Sequence, residues 1–80
     1  MKEETLVTEY AKRLSDQDLQ WLFARFQQRI GGDLEEACDF IAQDKDMDRF
    51  FAASSGAEDW YAKVDLVSKL LNKETIRRAS

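Results

Sequence analysis

Asp44, Asp46 and Asp48 alternate in the spacing with which a calcium-binding EF-hand loop opens. Calcium in such a loop also needs a glycine at the sixth position for the sharp turn and a bidentate glutamate at the twelfth. Counted from Asp44, those positions hold Arg49 and Ser55, so no metal site is expected and the three acids read as the solvated start of a helix. Nucleophilic catalysis lacks its base. The chain has no histidine, which excludes Ser-His-Asp and Cys-His arrangements and histidine-based zinc sites. Gly31-Gly32 lacks the further glycines and the lysine of a phosphate-binding loop. A carboxylate pair could do acid–base work in a cleft, but a helical chain of 80 residues rarely encloses a substrate pocket. The expectation is a protein that is not an enzyme, with no cofactor, no metal and no small-molecule substrate.

The lone thiol, Cys38, shares an apolar helical face with Leu34, Ala37 and Ile41 and is expected to be buried and inert. One unpaired cysteine suits a reducing compartment. The N-terminus Met1-Lys2-Glu3-Glu4-Thr5 leads into no long apolar run, and nothing approaches the ~20 apolar residues that span a bilayer. A cytoplasmic protein with no membrane partner is expected.

The remaining chemistry is recognition. Leu19, Leu22, Phe23, Phe26 and Ile30 recur at spacings of three and four and so share one helical face. At ~100° per residue, Trp21 points away from that stripe, beside Gln17, Ala24, Arg25 and Gln28. Such an indole either meets a second layer of its own protein or waits for a partner. Tryptophan and arginine are enriched at the energetic centres of interfaces, so Gln17, Trp21, Ala24, Arg25 and Gln28 are read as a contact face. Asp33, Glu35, Glu36, Asp39, Asp44, Asp46 and Asp48 form an acidic run opposed only by Lys45, with Asp44, Asp46 and Asp48 as an orienting patch for a basic partner. The expected partner is another protein or a second copy of the chain, a homodimer formed through Trp21 or through a Leu66/Leu70 flank.

The alternative is a small nucleic-acid-associated regulator using the basic stretch from Lys69 through Lys73 to Arg77 and Arg78. Net charge of −4 weighs against it, because affinity for nucleic acid rests on cations that neutralise phosphates. The helix, Gly-Gly turn and helix outline of a helix-turn-helix reader would place Asp33, Glu35, Glu36 and Asp39 against the phosphates.

Five helical segments must position these residues. About 3–14 carries Leu6, Val7, Tyr10 and Leu14, and about 16–30 carries the second stripe. As one straight helix, 3–30 would have two opposed apolar faces, so the chain must break at Ser15, a helix cap with Asp18 three residues on. Gly31-Gly32 is expected to close the second helix in a left-handed turn. Asp33 is then expected to cap a third helix to about 43, with Glu36 completing the capping box. Met47, Phe50 and Phe51 fall out of phase with Leu34, Cys38 and Ile41, which breaks the chain at 44–46 and starts a short helix over 46–53. Ser55 with Glu58 suggests a last cap before a helix over 57–78, whose final residues should fray. Ala57, Trp60, Val64, Val67 and Leu71, widened by Leu66 and Leu70, give that helix an apolar face broad enough for two neighbours. With 44% hydrophobic residues and no proline, the fold class is all-α, a single-domain compact bundle of four to five helices.

Overall fold

The computed structural model describes residues 2–28 and 31–80, and the expectations placed on Ile30 lie outside them. The fold is all-α: α1 (Glu3–Arg13), α2 (Asp16–Gln28), α3 (Gly31–Ile41), α4 (Lys45–Ala52) and α5 (Ala57–Ala79). At 1.5 Å per residue α5 is ~34 Å long and runs the length of the domain, whose longest dimension is 37 Å. It packs against both α1 and α2, while α3 lies on α2 and α4 on α1. The broad apolar face of α5 is thereby covered from two sides. Leu70 is buried with Val64, Val67 and Leu71, which removes it from the proposed dimer flank and leaves Leu66 half-buried.

Most of the core comes from the stripes that the periodicity marks, joined by Ala11. Leu6, Leu14, Phe23, Cys38, Phe51 and Trp60 pack against it half-buried, and Ala57 is exposed. Val7, Tyr10 and Ala11 from α1 meet Leu19, Leu22 and Phe26 from α2, with Leu34, Ala37 and Ile41 from α3 and Met47 and Phe50 from α4. Phe26 is fully buried, and burial of a side chain of that size contributes roughly 1.5–3 kcal/mol. Both phase breaks are present and each has a cap. Ser15 Oγ accepts from Asp18 N at 3.1 Å. Asp44 Oδ1 accepts from Asp46 N and Met47 N at 3.0 and 3.1 Å, satisfying two of the donors that a helix start leaves unpaired.

Four local expectations are corrected. Gly31 and Gly32 lie inside α3 rather than in a left-handed turn, and neither has a left-handed φ. Asp33 is consequently a first-turn residue, where its charge favours the positive helix end, instead of the cap. Glu36 serves α2 rather than a capping box, because its carboxylate lies 3.6 Å from Arg25 Nε. At α5 the cap runs in reverse. Gly56 precedes the helix without a side-chain cap, and the Asp59 carboxylate accepts from Ser55 N at 2.9 Å.

A fifth concerns the end of α5, which is helical to Ala79 and closes the fold. Arg78 donates to the carbonyls of Ala11, Lys12 and Leu14 at 3.1, 3.2 and 2.7 Å, at the C-terminal end of α1, where Ala11 also accepts from Leu14 N. The same guanidinium binds Asp16 Oδ1 at 2.8 Å and Glu74 Oε2 at 2.7 Å. Glu74 is 5% exposed and also takes a two-point contact from Arg77 at 2.8 and 2.6 Å. These charge-assisted bonds hold its carboxyl down to about 2. A second buried charge ties α5 to α4: Lys63 Nζ donates to the carbonyl of Phe50 at 2.7 Å, with Asp59 at 3.8 Å.

Candidate functional site

The outer face of α2 carries the indole. Leu19, Leu22 and Phe26 turn inward and are buried, so Trp21 is left on the side towards α3, where it is half-buried. Its ring leans on Phe40 of α3, with centroids 5.5 Å apart and planes at 49°, a tilted contact of the kind aromatic quadrupoles favour. One turn on, the Arg25 guanidinium lies over the indole at 3.9 Å from its centroid. This is a close cation–π stack between i and i+4 on one helix. Arg25 Nη1 also reaches back to the Trp21 carbonyl at a long 3.4 Å.

Arg25 is incompletely satisfied. Its Nε is enclosed and without a hydrogen-bond partner, the Glu36 carboxylate standing just beyond bonding distance at 3.6 Å. Glu36 itself is exposed, so this ion pair between α2 and α3 is solvent-screened and contributes little to stability. Gln17, Ala24 and Gln28 are all exposed around the indole. The second layer that the sequence left open is thus α3, and it covers Trp21 only in part.

The acids at the start of α4 belong to another corner. Asp44 is engaged within the fold: one carboxylate oxygen caps α4 and the other accepts from Arg13 of α1 at 2.9 Å. Asp46 and Asp48 are exposed. Beside them Tyr10 is buried, and burial, then the nearby Asp44 and Asp18 charges, push its hydroxyl up to about 12. Among the described residues no group of three or more acids and cysteines is gathered closely enough to hold a metal ion.

Periodicity missed Phe40 and Glu36, the α3 residues that meet Trp21 and Arg25. A signal for them existed. Phe40 stands ~100° or more from the Leu34, Cys38 and Ile41 stripe, so α2 and α3 each carry one aromatic off its inward face. Two misplaced rings on consecutive helices can pair with each other.

Trp60 packs against the core from its edge. It is half-buried at the start of α5, tilted against Phe51 at 6.2 Å and edge-on to Tyr61 at 5.0 Å. Cys38 is likewise half-buried rather than sealed, and burial followed by the Asp39 charge raises its thiol above the ordinary range.

Comparison of the chain with protein-family models, with curated proteins and with solved structures gives no match in any of the three. No helix among the described residues is long and apolar enough to cross a membrane. A functional reading therefore rests on the chemistry of these surfaces.

Proposed function

We propose that this protein is a small acidic, non-catalytic interaction protein that recognises another protein, or a second copy of itself, through the outer face of α2. The observation that carries this reading is the indole–guanidinium stack of Trp21 and Arg25, half-exposed on a helix whose inward side is already filled by Leu19, Leu22 and Phe26. A partner covering the stack would bury the remaining indole surface. Because stacking already holds the guanidinium, little rotamer entropy is lost on docking. Gln17, Ala24 and Gln28 would form a low polar rim, and the exposed Asp46 and Asp48 would steer a basic partner. The single thiol, Cys38, suits a cytoplasmic setting.

The nucleic-acid alternative is weakened by the engagement of two of its four cations. Arg78 is consumed in closing α1, and Arg77 is paired with Glu74.

Homodimerisation through Trp21 is the simplest form of the proposal. Sedimentation across a wide concentration range should give a monomer–dimer equilibrium that Trp21→Ala abolishes while helicity is retained. A strict monomer removes the dimer. Partner recovery from cell extract then decides the rest, since a specific partner should be lost with Trp21→Ala, and equal recovery by both forms rejects the face.

A further inference from the structure

On the opposite side of α3 from Phe40, the first turns of α5 leave an open groove of ≈ 330 Å³ lined by Leu34, Cys38, Trp60 and Tyr61, with Glu35 and Asp39 at its edge. We infer that this groove is a docking site for a cationic amphipathic segment of a partner protein, an apolar side chain entering between the aromatic rings while lysines or arginines meet the two carboxylates. The inference does not rest on the α2 face, which uses different residues.

Three observations support it. First, the floor is apolar and anchored. Phe50, Phe51, Trp60 and Tyr61 form a continuous file of ring contacts, with centroids 5.1, 6.2 and 5.0 Å apart, running from the buried Phe50 to Tyr61, which is 54% exposed. Rings held in such a file present a preformed surface with little entropy left to lose. Large aromatics exposed beside a concave apolar surface mark interaction sites more often than isolated exposed side chains do. Second, two carboxylates stand at the edge: Glu35 and Asp39 are both exposed. An acidic edge on an apolar floor complements a helix with leucines on one face and lysines beside them, and repels the phosphates of nucleic acids or anionic lipids. Third, the groove contrasts with the hollow between α1 and α5, whose edge carries Lys12, Lys73 and Arg77. There Glu74 already occupies Arg77, and Lys12 lies 3.9 Å from Glu9.

The test uses the full chain and a short synthetic helix-forming peptide with leucines on one face and lysines on the other. The two indole N–H signals in an ¹⁵N-correlation spectrum report separately on the groove and on the α2 face. The lysine peptide should shift Trp60 and the amides around Leu34 and Cys38 while leaving Trp21 in place. A charge-reversed peptide with glutamates should shift neither. Tyr61→Ser, at an exposed position that the fold does not need, should weaken the lysine peptide about tenfold. Glu35→Gln with Asp39→Asn should weaken it about fivefold at low salt, with the difference fading at high salt. The inference is overturned by any of four results: no shifts, shifts that include Trp21 or spread over the surface, equal binding of the glutamate peptide, or unchanged affinity with Tyr61→Ser.

Discussion

Arg78 and Arg25 are both half-buried arginines on helices that pack together, and they are used in opposite ways. Arg78 has five acceptors: three carbonyls at the end of α1, Asp16 and the buried Glu74. Arg25 has a long bond to its own helix, an ion pair at 3.6 Å and an enclosed Nε that bonds to nothing. The difference is geometric. Arg78 meets a helix C-terminus, where three carbonyls converge on one guanidinium nitrogen. Arg25 meets an indole face and one exposed glutamate. A cation that completes a fold leaves nothing to offer a partner, whereas one resting on a half-exposed ring keeps its donors.

Substituting Arg78 should therefore break the comparison most severely. Arg78→Met removes the closure of α1 and one of two counter-charges to a buried carboxylate. It is expected to lower the urea midpoint well beyond the effect of Arg25→Met, even though Arg77 remains on Glu74. Arg25→Met, by contrast, should cost under about 1 kcal/mol, since it loses an exposed ion pair and a surface cation–π stack. Comparable losses for the two arginines would dissolve the distinction.

The same contrast has a pH signature. The folded carboxyl of Glu74 is depressed to about 2, below its unfolded value, so its contribution is complete above about pH 4.5 and is lost as pH falls towards 2. Urea midpoints followed downward through that window should fall more steeply for the native chain than for Glu74→Gln. Parallel curves would mean that the cluster does not stabilise the fold. At the alkaline end the sign is reversed. Tyr10 is raised to about 12, so folding stability should decline as pH climbs from about 10 towards 12, a smaller effect read by the same midpoints.

Much of the architecture was legible because it depends on phase. The stripes of Leu19, Leu22 and Phe26, and of Val64, Val67 and Leu71, are inward-facing as periodicity requires, and the breaks at Ser15 and Asp44 fall where continuous helices would have carried opposed apolar faces. Local chemistry was less legible where two readings of a residue compete. Gly31-Gly32 can end a helix or begin one, and nothing in adjacent residues decides which. Asp59 rather than Ser55 supplies the cap at α5, an inversion of a motif whose residues were all present. Arg78 reads in sequence only as part of a basic stretch near a fraying end, because Asp16 and the carbonyls of α1 lie more than sixty residues away.

The candidate site was half-legible for a related reason. A single helical wheel shows that Trp21 is outside the core stripe but not what stands opposite. The answer was Phe40 and Glu36, both also out of phase on their own helix. Asp44 was read as part of an acidic patch, yet its oxygens are committed to α4 and Arg13, which leaves Asp46 and Asp48 as the exposed remainder.

The central claim is that Leu19, Leu22 and Phe26 fill the inward side of α2 while Trp21, packed at the edge of the core, is only half covered. Unfolding free energies of Trp21→Ala and Phe26→Ala, measured side by side in urea, test it directly. Phe26 is fully buried and its truncation should cost about 3–5 kcal/mol, whereas truncation of the half-buried Trp21 should cost about 1–2 kcal/mol. Equal losses at the two positions would make Trp21 a core residue and remove the face from which a partner has been inferred.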